Sequence, residues 1–119
     1  MSHISYRNVT PFNFMGLQIR ELTPDGLVSA SVAEVEITPG ARHEAARSIR
    51  SDKLYVCIEG SISFHIEERD MKLEPRDLLL IPRGEWFNYH NENDTVSRVI
   101  LIHIPPFDPE SEEFRDPEK

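Results

Sequence analysis

The sequence predicts an all-β fold, a sandwich or barrel of short strands, and three observations carry that prediction. "SISFHIE" alternates strictly, with Ile62, Phe64 and Ile66 on one face and Ser61, Ser63, His65 and Glu67 on the other. Other apolar runs, "LYVCI", "DLLLIP" and "SRVILIHIPP", have the length of strands and not of helices. Turn chemistry separates them at near-regular intervals: Pro24-Asp25-Gly26, Pro39-Gly40, Glu59-Gly60, Glu68 to Asp70, Arg83-Gly84 and Asn91 to Asp94. The length of 119 residues suits one domain with its own core.

Taken in order, residues 1–27 read as an N-terminal arm and 28–107 as the barrel. In "GLVSASVAEVEI", Val28, Ala30 and Val32 alternate, and then Ala33, Val35 and Ile37 do. A one-residue slip in a period-two pattern predicts a bulge. "PGARHEAARSIR" can also be read as a helix of two turns introduced by Pro39 and Gly40. "LYVCI" reads as a strand buried on both faces, and "DLLLIP" as a buried strand closed by Pro82. Pro105 and Pro106 end the last barrel strand, because neither can donate to a ladder. Residues 108–119 read as an acidic, proline-containing tail, extended and partly disordered, in which Phe114 is the one apolar residue able to dock.

The net charge is −8, and "DPESEEFRDPEK", with six acids and two bases, supplies half of it. No basic patch with interleaved aromatics appears, so direct nucleic-acid binding is not expected. No run is long enough to span a membrane, and Cys57 is the single cysteine, which fits a reducing, cytoplasmic setting. "RSIRSDK" places Arg47, Arg50 and Lys53 directly ahead of an apolar strand, an arrangement that requires an explanation.

The punctuation Gly40, Gly60, Pro82, Gly84 and Asn91, with "PRDLLLIPRG", resembles that of the cupin family. The resemblance implies a jelly-roll, or double-stranded β-helix, barrel. It also implies a metal held by three histidines and a carboxylate. The corresponding positions here are Ala46, Ser48, Lys53 and Phe87, and Arg76 stands where the second motif opens on glycine. An ammonium in the cradle opposes a cation by about 4 kcal/mol per unit charge product at 4 Å and an effective dielectric of 20. No metal and no other cofactor is therefore expected. The five histidines offer no ready replacement. His43 has the wrong parity, His65 lies on a polar face, His90 opposes Phe87, the facing of His103 is open, and His3 lies in the arm.

These readings predict a metal-independent cupin that binds a small polar molecule, anionic or a sugar-like carbonyl compound. Lys53 and Arg50 are the expected charged anchors, and Ser48 shares strand parity with Arg50. Tyr55, Phe87 and Tyr89 are the expected walls, and Asn91 either orients the ligand or serves its turn. "RSDKLYVCIEGSISF" with "LEPRDLLLIPRGEW" is also similar to the sugar-sensing arm of arabinose-regulator-type transcription factors, which bind ligands without metal. The alternatives are a metal-free isomerase or epimerase using Tyr55 or Tyr89 as acid, and a metal-dependent cupin with atypical ligands. Family members often exchange an N-terminal strand, so "PFNFMGLQIREL" predicts a homodimer.

Overall fold

The computed structural model describes residues 1–115. It contains eleven strands, β1 (Phe12–Phe14), β2 (Leu17–Glu21), β3 (Ser31–Ile37), β4 (Arg42–Ser48), β5 (Asp52–Glu59), β6 (Ile62–Ile66), β7 (Arg69–Leu73), β8 (Leu78–Ile81), β9 (Phe87–His90), β10 (Ser97–Ile104) and β11 (Glu112–Phe114). They form two antiparallel sheets, ordered β1-β2-β3-β10-β5-β8 and β11-β4-β9-β6-β7. This is the expected all-β jelly roll, its core made where the sheets' inner faces meet. Tyr55 of one sheet meets Phe64 of the other edge to face, with ring centroids 5.1 Å apart. No helix among the described residues is long and apolar enough to cross a membrane.

The alternation of "SISFHIE" is realised as read, with Ile62, Phe64 and Ile66 buried. Other strand expectations are corrected. The chain at "PGARHEAARSIR" is strand β4, not a helix. β3 begins only at Ser31 and pairs with β10 without a bulge; Val32 lies on its outer face, and Val28 lies outside the strand, 85% exposed. Register shifts instead occur in β4, against β9 between His43 and Ala46, and between β10 and β5 at Arg98 and Val99. In β5 only one face is buried. Lys53, Tyr55 and Cys57 point inward, and Leu54 and Val56 are half-buried on the outside. β8 is an edge strand whose Leu78 and Leu80 are 59% and 52% exposed. Continuous apolar runs therefore do not mark doubly buried strands here.

Both ends of the chain add strands to these sheets. The N-terminal segment forms the hairpin β1–β2 and lies against β3 of its own sheet. Met15 and Gly16, both at positive φ, make the two-residue turn, as a right-twisted hairpin requires. The segment expected to be a loose tail is structured as far as Phe114, where β11 pairs with β4. Residues 116–119, the rest of that expectation, lie outside the described residues.

The three cations around the β4–β5 turn explain this ordering. Arg47 pairs with Glu113 at 2.6 Å, Arg50 with Asp108 at 3.3 Å and Lys53 with Glu112 at 2.5 Å. Trp86 is flanked by the guanidinium groups of Arg47 and Arg115, 4.7 and 4.3 Å from its ring centre. The cations form the receiving edge for the C-terminal strand.

Candidate active site

A cavity of about 300 Å³ opens at one end of the barrel. That volume is at the lower end of small-molecule sites. Its mouth carries Phe12 and Phe14 from the hairpin and Phe107 and Phe114 from the C-terminal segment. Deeper walls come from Leu17, Ile19, Val35 and Leu101, and polar groups gather on Lys53, Tyr55, Tyr89, His43, His103 and Glu112.

Lys53 is the centre of the polar group. Strand alternation turns it inward with Tyr55, and only 3% of its surface is exposed. Its ammonium donates to Glu112 Oε1 at 2.5 Å and to His103 Nε2 at 3.0 Å, and stands 5.4 Å over the Phe87 ring. Burial lowers the Lys53 pKa, and the charge and hydrogen bond of Glu112 oppose that shift. An ammonium only donates, so Nε2 of His103 accepts and Nδ1 carries the proton of the neutral ring. Burial first, and then the charge of Lys53, push His103 down to about 3.

His43 faces the cavity because of the β4 bulge. An odd separation from Ala46 would place the two on opposite faces; the extra residue restores a common face, and Ala45 and Ala46 are both buried. The imidazole lies 5.2 Å from Phe87 and 5.1 Å from Tyr89, with Phe14 and Phe114 each at 6.2 Å, centroid to centroid. Nδ1 lies 2.7 Å from the Glu44 carbonyl oxygen, which can only accept, so Nδ1 carries the proton and Nε2 the free lone pair. Burial pushes His43 down to about 4, the charge of Lys53 adds to this, and the bond to Glu44 opposes it. The ring is therefore neutral at pH 7. Burial also raises Tyr55 and Tyr89, so both hydroxyls stay protonated and able to donate.

Of the residues singled out from sequence, Lys53, Tyr55 and Tyr89 line the cavity. Phe87 is buried behind His43 and under Lys53, outside the lining. Ser48 turns its hydroxyl to the backbone N–H groups of Arg50 and Ser51, which serves the β4–β5 turn. Arg50 is an exposed partner of Asp108. Asn91 donates to the carbonyls of Ile37 and Thr95 and accepts from the Asn93 N–H, so its amide is committed to the loop. His43, His103 and Glu112 escaped the sequence reading. A bulge hid the first, an ambiguous strand facing the second, and the acidic tail composition the third.

A family model for the cupin domain matches residues 33–103. The chain belongs to the cupin family. This cupin is 29% identical over 112 residues to the tetracenomycin polyketide synthase protein TcmJ of Streptomyces glaucescens, spanning 92% of this chain and 74% of that one. Among solved structures it resembles a substituted variant of Streptomyces PAC13 with uridine, at TM-score 0.82 and 18% identity, over 96% of this chain and 90% of that one. Pac13 is described as a nucleoside dehydratase. It also resembles the polyketide cyclase RemF from Streptomyces resistomycificus, at TM-score 0.77 and 18% identity, over 87% of this chain and 79% of that one. At these identities the solved structures share the fold.

The cupin resemblance raises a metal, and the donors at its four positions do not fit one. Ala46 and Phe87 have no donor atom, the Ser48 hydroxyl is held by two backbone N–H groups, and Lys53 brings a positive charge. Among the described residues no group of three or more His, Cys, Asp or Glu side chains is arranged to hold a metal ion.

Proposed function

We propose that this cupin binds a small oxygen-bearing molecule in the barrel and performs acid–base chemistry on it without a metal. The observation that carries this reading is His43: a neutral imidazole in the cavity wall whose Nδ1 is spent on the Glu44 carbonyl and whose Nε2 keeps its lone pair. Lys53, Tyr55 and Tyr89 supply N–H and O–H donors on the same cavity. Strand parity had turned His43 away from the pocket face, and the bulge in β4 brings this base onto it.

The reaction class that suits this set is removal of a proton beside a carbonyl, followed by elimination or ring closure. His43 Nε2 takes the proton, the electron pair forms the new double bond, and the leaving hydroxyl departs as water with a proton from an acid such as Tyr89. The relatives support the choice, because they include a nucleoside dehydratase and a polyketide cyclase. The ammonium of Lys53 already holds a carboxylate, which favours the carbonyl form of the expected ligand over the anionic one.

The test is proton exchange and water loss from a panel of β-hydroxy ketones in D2O, followed by nuclear magnetic resonance. Wild type should exchange the proton beside the carbonyl, and His43→Gln should slow this by about a hundredfold or more. Equal rates in the two proteins would reject His43 as the base. Ligand-induced thermal stabilisation without turnover would leave a binding protein. Activity that survives metal removal is expected, and activity restored only by an added divalent ion would reject the metal-free reading.

We further propose that the chain acts in the cytoplasm as a homodimer. The outer face of the larger sheet supports a dimer, because Ile102, Leu54 and Leu80 form one cross-strand row and Ile100, Val56 and Leu78 the next. Two aliphatic rows side by side resemble the centre of an interface more than a solvated surface. Light scattering should give twice the chain mass.

A further inference from the structure

The ionisable side chains lining the cavity are Glu21, His43, Lys53, Tyr55, Tyr89, His103 and Glu112. With both imidazoles neutral and both phenols protonated, one ammonium faces two carboxylates. Glu112 sits 2.5 Å from Lys53, and their side chains are only 6% and 4% exposed, so little water screens the pair. An incoming anion therefore meets attraction from Lys53 and nearly equal repulsion from Glu112, with Glu21 adding to the repulsion. An uncharged oxygen is treated differently. The ammonium has three N–H groups; Glu112 takes one, His103 another, and the third remains for a carbonyl or hydroxyl. The phenylalanines at the mouth offer ring faces and edges to a flat molecule.

We propose that Glu112 determines the charge selectivity of the cavity: by neutralising Lys53 it restricts the site to uncharged, oxygen-bearing ring compounds and turns carboxylates away. This rests on the reading of the cavity as a ligand site. It also gives the C-terminal strand a chemical task. β11 delivers Glu112, and the Arg47–Glu113 pair and the Trp86 clip hold that strand in place.

Acetophenone and benzoate, alike in shape and different in charge, are the probes, measured by isothermal titration calorimetry at neutral pH. Wild type should bind acetophenone at least about tenfold more tightly than benzoate, and Glu112→Gln should raise benzoate affinity by about tenfold or more. The double variant Lys53→Met with Glu112→Gln removes both charges together, a change buried pairs tolerate, and should return to the preference for acetophenone. If the single variant does not fold, the double variant decides, because an anchor role for Lys53 would make the double variant lose benzoate relative to wild type. Wild type binding benzoate as tightly as acetophenone, or a Glu112→Gln variant with an unchanged ratio, would overturn the role of Glu112 and leave the cavity a ligand site. Binding of neither probe to any of the three proteins would reject the ligand site itself, and this inference with it.

Discussion

The two ends of this barrel use buried polar groups in opposite ways. At the closed end the strands converge on Ile37, Cys57, Ile62, Leu73 and Val99, all part of the packed core and none lining the cavity. The polar residues there satisfy one another. Asn91 spends its amide on Ile37, Thr95 and Asn93, and Ser97 bonds to the backbone of Ser61. Gly60 is required at that point, since it lies at φ +72° and a Cβ would come within 2.3 Å of the Ser97 Oγ. At the open end the same strands present Lys53, Tyr55, His103 and, through the bulge, His43 to a cavity. There Nε2 of His43 and one N–H of Lys53 have no partner among the described residues. Saturated polar groups hold structure, while groups with capacity left over beside an open volume are available for chemistry.

The largest break in this comparison should come from acid. His43 and His103 sit at about 4 and about 3 in the folded chain, below their ordinary value of 6.5. The unfolded chain therefore binds protons first. Stability is full above about pH 6.5 and falls as the pH drops towards 4, by roughly 5 kcal/mol for the pair. Urea denaturation across that range should show the slope, and replacing either histidine by Gln should flatten it. A stability independent of pH between 6.5 and 4 would contradict burial of two neutral imidazoles.

Glu112→Ala comes next. It strands the buried ammonium and should cost about 3–5 kcal/mol in the same denaturation experiment, with the β11 segment becoming sensitive to protease. Asn91→Ala attacks the closed end instead. It leaves buried backbone groups unpaired and should cost about 2 kcal/mol, with ligand affinity unchanged in variants that remain folded. A loss of affinity greater than the loss of stability would return Asn91 to the binding site. Leu80→Lys, on the outer face, should shift the mass measured by light scattering from dimer to monomer and change monomer stability by only about 0.5 kcal/mol. The smallest effect belongs to Arg50→Ala. Its exposed pair with Asp108 contributes at most about 0.5 kcal/mol, and ligand binding should not respond.

These predictions divide along the line between what was legible in the sequence and what was not. Alternation located the strands and turned Lys53 and Tyr55 inward, and the residues at the metal positions excluded the usual ligand set. Tyr89 was found by the same parity. Residue type alone could not separate Asn91 from a ligand contact, because an amide looks the same whether its partners are loop carbonyls or a bound molecule. Burial of "LYVCI" and "DLLLIP" was overstated, because period and hydropathy do not say whether an outer face meets solvent or a second layer.

By itself the sequence determined that the chain is all β, that its barrel is a cupin, and that an ammonium stands in the cradle. The first follows from local periodicity and the others from the resemblance to the family's motifs, and neither needs knowledge of distant contacts. Only the tertiary structure decided that His43 turns inward, since one inserted residue inverts a period-two pattern. It also brought Glu112 from the acidic tail to Lys53, 59 positions away in sequence. Pairing at that range depends on which edge of a closed sheet is free to receive another strand, and no local pattern encodes it.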